Sequence, residues 1–367
     1  MRRLLPVAVI TAAFTAATLL LSAGSAGAAG NQVRHARTAP VRQSPDVVVS
    51  WHQLHLLNGW AEARGPSFPV GKAAYSIING VVYLTGGIKR TSGAKDEFAV
   101  LPKAARPVHL EYLPVISLGI VSAAVDIWPS GKMNAFYGDA AGYTSLDGIS
   151  YPAAGTRWHK LALTTHWKSA QRSFGTGDPA YAVRGGIVYL SGAAIGKSPA
   201  GDGLATLPTG ARPKYDLWLR TYTSGGVVGT LVILSDGAIL AEGASSRSFV
   251  SLAGISFPNA KFKWHKIALS GWQSDASLSH TGDPAYGVAG PIVYLNGSMA
   301  QTTGSIIFAA TPAAIRPKHE LNIEVYTTDS SYGQIQVTMP SLYAESVPAL
   351  NAEDFTSLAG LSYPLSS

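Results

Sequence analysis

The chain has 367 residues, 47% of them apolar and only 13% charged, with 39 glycines, 22 prolines and no cysteine. At roughly 100–200 residues per domain this is a multi-domain length with ample apolar content to bury. The low charge excludes coiled coils, helical bundles and polyampholyte disorder. The missing cysteine excludes disulfide scaffolds, cysteine-ligated zinc, iron–sulfur clusters and thiol nucleophiles.

Met1-Arg2-Arg3 is followed by an apolar run from Leu4 to Leu21, and Ala26-Gly27-Ala28 supplies a small-residue cleavage site. This n-, h- and c-region order predicts a secretory signal peptide over 1–28 and hence a secreted, extracellular protein. No later run is long and apolar enough to span a membrane. Residues 29–50, rich in Arg, Pro and Ser and without periodicity, read as a flexible lead-in.

Three copies of one pattern fill the remainder. Trp51-His52, Trp158-His159 and Trp264-His265 open them, at spacings of 107 and 106 residues. A second tryptophan follows in each (Trp60, Trp167, Trp272), then an apolar run (Val81–Leu84, Ile187–Leu190, Ile292–Leu295) ending at Gly86, Gly192 or Gly297. Arg106-Pro107, Arg212-Pro213 and Arg316-Pro317 come next. Each copy closes on a near-identical phrase, Ser145–Pro152, Ser251–Pro258 and Ser357–Pro364. The copies are 51–157, 158–263 and 264–367. About 105 residues is the size of a whole β-sandwich, and strand-like runs without helical periodicity predict an all-β fold of three tandem jelly-roll-like sandwiches. In the second copy the expected strands include Trp158–Leu163, Ile187–Leu190, Tyr215–Thr223 and Phe249–Ile255, with a hairpin at Ser235-Asp236-Gly237.

The order Trp…Trp, Tyr before a VYL-type strand, Leu-Pro then Arg-Pro, an Asp-Gly hairpin and the closing Ser-Leu-x-Gly phrase resembles the C-terminal head module of bacteriophage tail-fibre and baseplate receptor-binding proteins. That resemblance implies an all-β head that trimerises and binds a surface glycan. Three fused copies then suggest a single-chain pseudo-trimer, with a linear array as the alternative. The connectors Ala153–Arg157 and Asn259–Lys263 are short, which favours close packing.

Few residues invite chemistry. The recurring Trp-His pairs lack a second ligand at metal spacing, and they read as strand starts. The Arg-Pro pairs read as strand entries held by backbone carbonyls. Asp178 and Asp283 sit in Asp-Pro turns, with no second recurring carboxylate for acid–base work. No nucleophile elbow, P-loop or metalloprotease motif is present. Neither an enzyme, a cofactor nor a metal is expected.

The copies diverge most at Leu217–Tyr222 against Leu321–Tyr326. Alternation places Leu217, Leu219 and Thr221 on one face and Trp218, Arg220 and Tyr222 on the other. That stripe is the candidate ligand site, suited to stacking on sugar rings. The competing reading makes it a contact between copies, with Arg220 meeting Glu324. Net charge is +2, +6 and −5 over the three copies, so the basic character is local and nucleic acid is not an expected partner. The function expected is recognition of a cell-surface or extracellular glycan or cell-wall polymer, without catalysis. The alternative is a structural or protein-interaction scaffold.

Overall fold

The computed structural model describes residues 49–367 apart from 66–68, 198–200, 329–331 and 348. The expected signal peptide, and all but the last two residues of the lead-in, lie outside the described residues. Those residues are nearly all strand and turn. Among them no helix exceeds the six residues of Ala349–Asp354, and none is long and apolar enough to cross a membrane.

In the second segment a four-stranded antiparallel sheet runs in the order His159–Lys160, Ala180–Arg184, Ile187–Ser191, Ser256–Pro258. Opposite it are a three-stranded sheet (Trp167–Ser169, Ala193–Gly196, Val250–Ser251) and a four-stranded one in the order Gly203–Thr206, Ala238–Glu242, Val228–Ile233, Leu217–Tyr222. The sheets share one core in which Trp167, Val188, Leu190, Leu219, Leu231 and Phe257 are buried. The same strand orders occur in 264–367. In 51–157 the two smaller sheets fuse into one of seven strands, because Thr144–Ser145 pairs with Ser117 as well as with Gly87-Ile88. In the other segments that link shrinks to single bridges, Thr223 to Val250 and Thr327 to Thr356.

Local chemistry accounts for the recurring phrases. The Arg-Pro arginines donate Nε to backbone carbonyls five residues earlier: Arg106 to Leu101 at 3.0 Å, Arg212 to Leu207 and Arg316 to Thr311 at 3.2 Å. Gly237, at φ +94°, closes the Asp-Gly hairpin, a conformation that glycine reaches without steric cost. Asp178 and Asp283 accept from Ser169 and Ser274 and pair with Lys160 and Lys266. These lysines hold both carboxyls below the usual range.

Two sequence expectations are corrected. The expected strand Phe249–Ile255 is not continuous. It turns at Gly254 (φ +73°) and splits into Val250–Ser251 and Ser256–Pro258, which join different sheets. Trp167–Ser169 and Ala193–Gly196 are additional strands, too short to carry a periodic signal.

The apolar run Ile187–Ser191 is buried along its whole length because both of its faces are covered. Val188 and Leu190 enter the segment's own core, while Ile187 and Tyr189 meet Ile78, Val81 and Tyr83 of the first segment and Ile292 and Tyr294 of the third. Trp51, Trp158 and Trp264 pack around this shared cluster rather than inside their own cores. The adjacent histidines stack on Tyr75, Tyr181 and Tyr286, with ring centroids 5.2, 5.4 and 5.2 Å apart.

A second set of contacts joins the strands Glu111–Ser117, Leu217–Tyr222 and Leu321–Tyr326. Gly254 lies against Leu113, Gly360 against Leu219 and Gly148 against Ile323. A Cβ on those glycines would come within 2.4, 2.5 and 2.6 Å of the neighbouring side chain. The first and third segments also meet through Asp147, which accepts from the Asn322 backbone N–H at 3.1 Å, and through a parallel bridge between Val70 and Glu320.

Candidate functional site

The stripe singled out in the sequence is folded into contacts between segments. Arg220 and Tyr222 are buried and Trp218 is half-buried. Trp218 packs on Tyr326 at 5.3 Å between ring centroids, with Phe355 edge-on to both. The Arg220 guanidinium lies 5.4 Å from the centre of the Tyr326 ring, and its Nε donates to the Val325 carbonyl at 3.2 Å. Glu324 is half-buried, with its carboxyl oxygens enclosed beside Arg220. Burial pushes its carboxyl up to about 7, against the downward pull of the guanidinium.

Sheet register makes Tyr112 and Asn322 the counterparts of Trp218, and Ile116 and Tyr326 the counterparts of Tyr222. Between the first and second segments Tyr112 stacks on Tyr222 at 5.1 Å, 13° from parallel, again capped edge-on by a phenylalanine, Phe249. Between the third and first segments the aromatic pair is absent. Asn322 approaches the Tyr143 hydroxyl at 3.4 Å, and Ile116 packs with Tyr143.

The Tyr112–Tyr222 contact opens onto a groove of about 600 Å³. Phe136 and Tyr137, in T-shaped contact at 4.9 Å, form part of its lining, and Tyr137 is 46% exposed. The Tyr137 ring fits because position 226 is glycine, where a Cβ would come within 2.4 Å of it. Asp126, buried in the lining, accepts from Asn134 Nδ2 at 2.6 Å. Burial raises its carboxyl above the ordinary range, while the Asn134 bond opposes that shift. Asp96 and Glu97 complete the acidic lining, paired with Arg90 and Lys132 at 3.1 and 3.0 Å. With those partners in place the groove carries little net charge. Its aromatic faces suit the C–H faces of a sugar ring, and the carboxylate and amide suit its hydroxyls.

The sequence reading missed Tyr112, Asp126, Asn134, Phe136 and Tyr137, although a signal was present. Asp126 and Asn134 are cross-strand partners in mid-strand. The second segment has Val232 and Leu240 there, and the third has Gln336 and Tyr343. Aligning the first copy with the others exposes the substitution. Among the described residues no group of three or more histidines and carboxylates is placed to hold a metal ion. No family model, curated protein or solved structure matches the chain.

Proposed function

We propose that this chain is a secreted, non-enzymatic binding protein that takes a neutral glycan in the groove lined by Tyr112, Tyr137, Asp126 and Asn134. In this reading its three segments close around one axis as the single-chain counterpart of a trimeric head. The groove carries the proposal: an exposed aromatic ring beside a hydrogen-bonded carboxylate–amide pair, with its other charges compensated. The resemblance of the repeated phrases to phage head modules points the same way. The cyclic run of contacts from first to second, second to third and third to first supports the closed arrangement.

Titration of neutral oligosaccharides against the full chain and Tyr137→Ala tests the reading. Tyr137 is half out in solvent, so its loss is expected to change stability by less than about 1 kcal/mol. Affinity should fall at least about tenfold, as at an aromatic hot spot. Absence of saturable binding by the unmodified chain across neutral glycans rejects the glycan reading. The scaffold alternative then takes its place, favoured by the commitment of Trp218, Arg220 and Tyr222 to contacts between segments.

A further inference from the structure

Where the sheets that hold Val81–Thr85, Ile187–Ser191 and Ile292–Asn296 meet, Tyr83, Tyr189 and Tyr294 gather in one buried cluster, and burial raises all three above the usual phenol range. Next to them is a cavity of about 380 Å³ that shares no lining residue with the glycan groove. Its walls are Ile78, Val81, Ile187, Ile292 and the tyrosine rings, and Asn79, Arg184, Gly185 and Gly290 also line it.

Asn79, Gly185 and Gly290 belong to hairpin turns, and Arg184 ends the strand that leads into one of them. Asn79, Gly185 and Gly290 have φ of +53°, +57° and +59°, a conformation that asparagine and glycine tolerate and bulkier residues do not. A Cβ at Gly185 or Gly290 would meet nothing within 4 Å. The turns therefore leave the opening unobstructed. Arg184 is the one charged residue in the lining. Its Nη1 is held at 3.3 Å from both the Gly80 carbonyl and Thr156 Oγ1, and among the described residues no carboxylate pairs with it.

We propose that this cavity binds a small alkyl carboxylate, with its chain between Ile78, Ile187 and Ile292 and its carboxylate at Arg184 and Asn79. The volume falls at the lower end of the range for small-molecule sites, about 300–1,000 Å³. Isoleucine, valine and the tyrosine rings form the walls, so the interior rewards an apolar body rather than a polar one. Hydrogen-bonding chemistry is concentrated at the opening, where the exposed Arg184 guanidinium, tied through Nη1 to Gly80 and Thr156, offers its other donors to an anionic head.

The test is calorimetric titration of octanoate and octan-1-ol into the full chain, beside Arg184→Gln and the cavity-filling Ala289→Phe. The expected result is one octanoate per chain. Affinity for octanoate should fall at least about tenfold in Arg184→Gln, the scale of a lost charge-assisted bond, with octanol affinity unchanged. Ala289→Phe should lose both ligands. If that variant fails to fold, the Arg184→Gln comparison and a series of shorter alkyl carboxylates decide the matter alone. No octanoate binding at millimolar concentration overturns the proposal, as does octanoate binding equally to Arg184→Gln. Octanol binding as tightly as octanoate to the unmodified chain overturns the anionic head.

Discussion

Gly254→Ala and Gly360→Ala are each expected to cost about 2–5 kcal/mol of folding stability, against about 1–2 kcal/mol for Gly304→Ala. All three glycines have φ between +71° and +75°, so a side chain strains the backbone similarly at each. They differ in what the new Cβ would meet. At Gly254 and Gly360 it would lie 2.4 and 2.5 Å from Leu113 and Leu219 of another segment, and at Gly304 nothing stands within 4 Å. The excess measures the contact between segments, because the new Cβ would push on a leucine methyl of the neighbouring segment. Urea unfolding of the three variants checks it. Equal losses would mean that the segments are not pressed together at these points.

The second large effect is on pH dependence. Glu111 stands where the other segments place the core residues Leu217 and Leu321. Burial pushes its carboxyl up to about 8, only partly offset by the Ser191 hydroxyl. Glu324 follows at about 7. An acid whose folded pKa is raised favours the fold most below its unfolded pKa, and that contribution is lost as pH climbs through the folded value. Stability should therefore decline from about pH 4.5 toward pH 8–9. Asp178 and Asp283, held low by their lysines, work in the opposite direction but only below the ordinary carboxylate range, outside this window. Glu111→Gln is expected to match the parent at pH 4 and to exceed it by a few kcal/mol at pH 9, with a flatter profile between. Denaturation at a series of pH values checks this, and a parent profile that is flat from pH 5 to 9 contradicts it.

Much of the fold is legible in the sequence because repetition multiplies weak signals. A single VYL run is ambiguous between a buried strand and a buried helix turn. The same run at one place in each of three copies, bounded each time by glycine, is not. The Arg-Pro pairs likewise read correctly as backbone clamps. What stayed hidden depends on what covers the second face. Nothing in the run Ile187–Leu190 says that Tyr189 faces two other tyrosines rather than its own core. The short strands Trp167–Ser169 and Ala193–Gly196 carry no alternation to detect.

The candidate site was half legible. Comparison of the second and third copies picked out a strand that reaches the groove through Tyr222, while Trp218 and Arg220 lie in contacts between segments. Trp218 and Arg220 are enclosed by Tyr326, Phe355 and Glu324, which the chain brings in from about a hundred residues away. Tyr222 belongs to the groove's lining, yet its neighbours there come from the first copy. The first segment differs at mid-strand positions 126 and 134, where Asp126 and Asn134 stand in place of Val232 and Leu240 of the second segment and Gln336 and Tyr343 of the third.

Closure of the third segment onto the first is the point on which the central cavity and the single-chain trimeric arrangement depend, and the absence of cysteine makes it directly measurable. The ideal Cβ at Gly71 lies 3.7 Å from the His319 Cβ, within disulfide geometry. Gly71→Cys with His319→Cys should oxidise to an intramolecular crosslink in a monomeric chain, seen as a faster-migrating non-reduced band and the loss of both free thiols. Thiols that stay reduced, or crosslinks that form only between chains, would contradict the closed arrangement.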